Sequence, residues 1–207
     1  SYMTTTPKPK SFWALLMFTV LYYFLTVWPH EIVGSFIGSL LKPMGRALSD
    51  QYTIYATMLL GLICTLSFIL ILLRHRDRAL ISIIYFGLTI LFATISVRIL
   101  MVRPLEAAHF IQYGILSILV FLLVRRFDYT VWITFVLAHI DEAYQHFFLT
   151  PNKFSYYDFN DVWLDQIGIG FGLTMLFASG FKIVKRTKSM NRLILGVYVL
   201  LILIGAA

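Results

Sequence analysis

The chain has 207 residues and a net charge of +7, with 59% hydrophobic and 13% charged residues and a mean hydropathy of +0.82, where a soluble domain carries about a quarter charged residues. That excess of apolar side chains excludes a globular cytosolic enzyme. At ~30 residues per span and connection, the length holds six or seven transmembrane helices and no separate soluble domain.

The tail of residues 1–10 carries only Lys8 and Lys10 ahead of the first apolar run, and no small-residue cleavage site follows that run. It reads as a cytoplasmic tail before an uncleaved anchor, with residues 11–207 as a single transmembrane domain. Apolar stretches long enough to span are Ser11–Trp28, Gln51–Leu73, Ala79–Met101, Glu106–Val124, Tyr129–Leu149, Asp161–Lys182 and the short Leu193–Ala207. The expectation is an all-α, polytopic transmembrane helical bundle of seven spans, with six as the fallback should the short stretch end among the headgroups. Between the first two spans, Ile32, Val33, Phe36, Ile37, Leu40 and Leu41 recur at helical spacing, compatible with a segment lying along the interface. Cys64 excludes an intrachain disulfide and, inside an apolar run, reads as a small core residue.

Basic residues in a membrane protein mark topology, so the positive charge does not point to nucleic acid. Alternate loops carry 12 Lys and Arg on one side and five on the other: Lys42, Arg46, Arg98, Arg103 and Lys153. The positive-inside rule then sets the amino terminus in the cytoplasm, and seven spans leave the carboxyl terminus outside. Trp28, Trp132 and Trp163 read as an aromatic belt, and Arg98 and Arg103 as snorkelling side chains.

Acidic residues show the opposite bias, because only Asp77 and Asp128 fall on the inner side. Three successive spans carry ionisable groups at i, i+3 and i+7: Glu106, His109 and Tyr113; then His139, Glu142 and His146, flanked by Gln145; then Asp158, Asp161 and Asp165. This spacing puts each trio on one helix face in an outer half-span, with Asp141 pointing elsewhere. Gly168 and Gly172 continue the last stripe as a small-xxx-small pair that permits close helix approach.

Ionisable groups inside a span are expensive, which makes the cluster a functional candidate. His with carboxylates suits zinc or iron, and carboxylates alone suit magnesium or manganese. The same groups suit acid–base chemistry, or hydrogen-bond one another to fix helix register, so the metal is left open. The loop from Phe147 to Tyr157 brings Phe154, Tyr156 and Tyr157, which either dip into the headgroups or cover the site.

The residues Glu106-Ala-Ala-His109-Phe-Ile-Gln-Tyr113-Gly114, Asp141-Glu142-Ala-Tyr-Gln145, Pro151-Asn-Lys153 and Asp161-Val-Trp-Leu-Asp165-Gln-Ile-Gly168-Ile-Gly-Phe-Gly172 agree in order and spacing with a known set. They resemble the VanZ-like family of multi-pass bacterial membrane proteins over a core of about residues 79–183. The chain carries Lys153 where that family has Arg, and Asp165 where it has Asn.

The resemblance implies an envelope protein with a polar site at the outer leaflet, acting on a membrane lipid or lipid-linked component. It makes Glu106, His109, Tyr113, Glu142, Gln145, Asp161 and Asp165 the catalytic candidates and Lys153 a candidate for substrate contact, to which His146, outside the matched motif, is added by its helical spacing. The competing expectation is a non-catalytic accessory subunit stabilising a larger membrane protein complex with other membrane subunits. A transporter is disfavoured, because no internal repeat or pair of broken helices is visible.

Overall fold

The structure, a computed structural model, describes residues 9–27, 36, 39, 46–101, 104–149 and 157–181. Among these residues the chain is all helical: α1 (Pro9–Tyr22), α2 (Arg46–Arg74), α3 (Ala79–Ile99), α4 (Ala108–Val124), α5 (Phe127–Tyr144) and α6 (Phe159–Ala178). Two helices are long and apolar enough to cross a membrane, Gln51–Arg74 and Arg76–Ile99, and the more apolar stretch of the first is only 6% buried. So few buried positions on so apolar a helix fit a lipid-facing element better than the core helix of a soluble protein. The expected seventh span and most of the interfacial segment and of the tail lie outside the described residues.

Hydroxyl side chains within these helices are satisfied by their own backbone. Thr19, Thr65, Thr89, Thr94, Thr130, Thr134 and Ser179 each donate to the carbonyl four residues earlier, at 2.7–2.8 Å. These seven hydroxyls therefore remain paired with no water required, whereas the buried Ser82 Oγ on α3 has no hydrogen-bond partner among the described residues.

The bundle is organised around α6. On one side α4 crosses it at glycines: Gly168 lies against the carbonyls of His109 and Phe110, and Gly172 lies against Gly114 and Ser117. A Cβ on Gly168 would come 2.8 Å from the Phe110 oxygen, so the two backbones touch only because no side chain intervenes. On its other side α6 runs antiparallel to α3, with Trp163 on Ser96, Gly170 on Thr89, Phe171 on Phe86 and Phe177 on Tyr85. The seam on α3 is Ser82, Phe86, Thr89, Ala93 and Ser96, alternating steps of four and three, as a near-antiparallel crossing requires. Helix α2 joins through Phe68, stacked on Phe86 at 4.0 Å between ring centroids.

Helix α1 ends in a π-helical turn, Tyr23–Val27, and is tied to the bundle by two phenols: Tyr22 donates to the Gln112 carbonyl and Tyr23 to the Leu137 carbonyl, each at 3.0 Å. Only Arg125 and Arg126 connect α4 to α5, and the turn closes with Arg125 in the left-handed region at φ 55°. A non-glycine residue there costs about 1 kcal/mol. The Arg125 N–H to Phe121 carbonyl bond at 2.7 Å caps α4 in return.

Three sequence expectations are corrected. Cys64 is exposed on α2, not in the core, because α2 buries almost nothing beyond Phe68. Trp163 is not simply a belt residue, since its indole N–H donates to Ser96 Oγ at 3.0 Å and couples α6 to α3. Asp141 faces the bundle interior, as described below.

Candidate functional site

The first turns of α4 and α6 and the last turns of α5 meet at one end of the bundle, because α5 runs antiparallel to both. His109 is the centre. Its Nδ1 lies 2.7 Å from Asp165 Oδ1, and its Nε2 lies 3.8 Å from Asp161 Oδ2. The His109 and Asp165 side chains are only 6% and 3% exposed. Their separation in sequence is 56 residues, and the glycine crossing is what closes it. Because Gly168 takes the His109 carbonyl against its backbone, Asp165, one turn earlier on α6, arrives at the level of the imidazole.

Tyr113, one turn below His109 on α4, is fully buried and its hydroxyl points at Asp141 Oδ2 at 3.5 Å. Asp141 itself is 2% exposed. The expectation that Asp141 points elsewhere fails because α5 is enclosed on more than one side at this level. Tyr23, from the end of α1, completes this wall, buried and lying in the field of Asp141 and Asp165.

Glu142 is buried at the adjacent position. One of its oxygens accepts the backbone N–H of Asp158 at 3.0 Å, which ties α5 to the start of α6. Asp158 in turn caps α6, its carboxylate accepting from the Asn160 N–H at 3.0 Å. Gln145 is buried on the π-helical turn Gln145–Leu149 that ends α5, and Glu106 is half-buried on the 3₁₀ turn Pro104–Ala107 that leads into α4.

The structure thus brings His109, Tyr113, Asp161 and Asp165 together with Asp141, and sets Glu142 in the same charged field. His139 and His146 belong to a neighbouring group built on Tyr157. The Tyr157 hydroxyl lies 2.6 Å from His139 Nδ1 and donates to the His139 carbonyl at 3.2 Å, and the two rings stack. Burial, with the Glu142 carboxylate beside it, holds the Tyr157 hydroxyl well above the ordinary phenol range, so it remains a proton donor. His146 packs edge-on against Tyr157 at 6.4 Å between centroids, and its buried Nδ1 has no hydrogen-bond partner among the described residues. Lys153, Phe154 and Tyr156 lie outside the described residues.

Asp141, Tyr23 and Tyr157 are the members that spacing alone did not single out. Asp141 was signalled by its place in the Asp141-Glu142 pair of the resemblance, Tyr157 by the loop expected to cover the site, and Tyr23 by nothing beyond its place near the end of the first apolar run.

Chemically, a carboxylate held on Nδ1 fixes the imidazole orientation and leaves Nε2 as the nitrogen that exchanges a proton. At 3.8 Å, Nε2 and Asp161 Oδ2 are within ion-pair reach but beyond hydrogen-bond length. Among the described residues, no group of three His, Cys, Asp or Glu side chains is arranged to hold a metal ion. The sequence matches no protein-family model and no curated protein, and the fold matches no solved structure.

Proposed function

We propose that the chain is a VanZ-like polytopic protein of the bacterial inner membrane, with seven spans and a cytoplasmic amino terminus, and that His109 works as a general acid–base at the outer leaflet on a lipid or lipid-linked envelope component. One observation carries this reading: His109 and Asp165, from different helices, are buried against each other at 2.7 Å, and Nε2 lies 3.8 Å from Asp161 Oδ2. A buried ionisable pair is poorly explained as a source of stability, because its desolvation commonly outweighs its attraction. A hydroxyl of the substrate that reaches Nε2 beside Asp161 would give its proton to the imidazole, oriented by Asp165. Tyr113, Asp141 and Glu142 lie at the same end of the bundle, and Lys153 and His146 are assigned to headgroup contact.

The test is untargeted lipid analysis of membranes from cells producing the wild type, His109→Gln or no protein. The reading expects species that change with the wild type alone; identical profiles with wild-type protein folded in the membrane would overturn it. Orientation is tested separately with Asn152→Cys in a Cys64→Ser background. Labelling by an impermeant maleimide from outside intact cells is expected, and protection from it contradicts the orientation.

A specific observation favours a second reading, in which the chain is an accessory subunit of a larger complex. Several of the polar groups pair with one another: Tyr113 with Asp141, His139 with Tyr157, and Glu142 with the Asp158 backbone. Mutual pairing is how buried polar groups lock helix register without chemistry. Purification from native membrane in mild detergent separates the two, because an accessory subunit travels with partners and its His109→Gln variant loses assembly.

A further inference from the structure

The opposite end of the bundle from His109 is basic, and the structure sorts its arginines into two kinds. Three contacts converge on Gly180–Phe181 just past α6. Arg78 Nη1 donates to the Phe181 carbonyl at 2.6 Å, the Arg125 guanidinium lies 5.9 Å from the Phe181 ring centroid, and the His75 ring lies beside Gly180. The 74–78 connection and the 125–126 connection therefore form one surface.

On that surface Arg126 is committed to Asp128 through two bonds, at 2.7 and 3.1 Å. Arg78 is committed to the Phe177 and Phe181 carbonyls, with Asp77 3.6 Å away. The exposed Arg74, Arg76 and Arg125 have no carboxylate partner among the described residues. Toward the middle of the bundle, Leu70 and Leu73 of α2 and Leu80 of α3 are exposed within one or two turns of these arginines. Cations above exposed leucines match an amphiphile with a phosphate head and acyl chains.

We infer that Arg74, Arg76 and Arg125 form a binding site for the phosphate headgroup of an anionic phospholipid, whose acyl chains run down past Leu70, Leu73 and Leu80. Helix α4, 17 residues or about 25 Å long, separates this end from His109. Within the membrane-spanning reading, the two ends then sit at the two faces of a bilayer core about 30 Å thick. The site rests on the membrane part of the proposed function and not on its chemistry. Free inorganic phosphate offers the same headgroup charge but no chains for the leucines, so the occupant is the lipid.

The test reconstitutes the full chain in nanodiscs of phosphatidylcholine doped with phosphatidylglycerol, then counts phosphatidylglycerol retained after extraction by native mass spectrometry. The triple variant Arg74→Gln, Arg76→Gln, Arg125→Gln is compared with the triple Lys variant, which keeps the charge. At about fivefold per basic residue near a membrane surface, removal of all three weakens retention about a hundredfold, and the Lys variant keeps most of it. Raised salt strips the lipid from the wild type in parallel, a measurement that needs no variant.

Equal retention by wild type and Gln variant, or salt-insensitive retention by the wild type, overturns the inference. So does displacement by millimolar inorganic phosphate at constant ionic strength, which identifies a free-anion site. Failure of the wild type to enter nanodiscs of either lipid overturns the membrane reading itself, whereas loss of lipid-modifying activity alone, with retention intact, touches only the His109 chemistry.

Discussion

Alanine at Gly172 or Gly168 tests whether the α4–α6 crossing holds the bundle and its site together. A Cβ on Gly168 would lie 2.8 Å from the Phe110 oxygen, 2.9 Å from the His109 oxygen and 3.0 Å from the Phe110 Cα. All three are backbone atoms, so no side chain can swing away, and the helices must part by roughly half an ångström to reach ordinary contact. At Gly172 the collision is deeper, involving the Gly114 carbonyl as well as the Ser117 hydroxyl. Alanine is better than glycine in a helix by about 1 kcal/mol, while overpacking costs about 1–3 kcal/mol. The net expectation is a loss of up to about 2 kcal/mol at Gly168, and a larger loss at Gly172.

Gly61 and Gly87 supply the controls, because a Cβ on either meets nothing within 4 Å. There the same substitution keeps only its helix-propensity gain of up to about 1 kcal/mol. Reversible unfolding in mixed micelles of dodecyl maltoside and dodecyl sulfate, followed by tryptophan fluorescence, reads all four variants on one scale. Where backbone contact joins α4 to α6, the two pairs shift stability in opposite directions. If Gly168→Ala and Gly172→Ala are as stable as Gly61→Ala and Gly87→Ala, the backbone contact is not what joins α4 to α6.

Three further outcomes follow from individual contacts. His109→Phe leaves Asp165 buried without its partner and lowers stability by about 3–5 kcal/mol, whereas Asp165→Asn keeps a hydrogen bond to the ring and costs about 1 kcal/mol; the same micelle unfolding measures both. Tyr157→Phe keeps the ring packing but removes the hydroxyl that joins Tyr157 to His139, for a loss of about 1–3 kcal/mol and faster hydrogen exchange at the start of α6. At the α4–α5 turn, the Arg126 hydrogen bonds hold the Asp128 carboxyl below its ordinary value of 3.8, with burial opposing. A depressed folded pKa gives stability that is fully present above the unfolded value and lost as pH falls through the folded one. The advantage of wild type over Asp128→Asn in thermal midpoint therefore holds at neutral pH and disappears only below 3.8; a difference that vanishes nearer neutrality contradicts the assignment.

Much of this architecture was legible in the sequence, since helix positions follow from runs of apolar residues and need no tertiary information. The expected stretches Gln51–Leu73, Ala79–Met101 and Glu106–Val124 differ from the observed α2, α3 and α4 only at their ends, where capping and 3₁₀ turns decide the last residues. The proximity of His109 to Asp161 and Asp165 was legible for the same reason: i, i+3 and i+7 spacing fixes a face, and a small-residue stripe on that face names the helix surface that can be approached.

What the sequence by itself determined, then, was the class of the protein as an apolar helical chain, the rough extent of each helix and the shared faces of its polar residues. Periodicity describes one helix at a time, however, and cannot count how many neighbours enclose it. Only the tertiary structure turned Asp141 inward to Tyr113, because α5 is enclosed on more than one side at its last turns. It likewise brought Tyr23 from the far end of the chain into the same wall, and moved His139 and His146 to Tyr157. Cys64 came out exposed by the converse logic: an apolar helix packed along one side buries one stripe and leaves the rest outside, and composition carries no mark of which residues form the stripe.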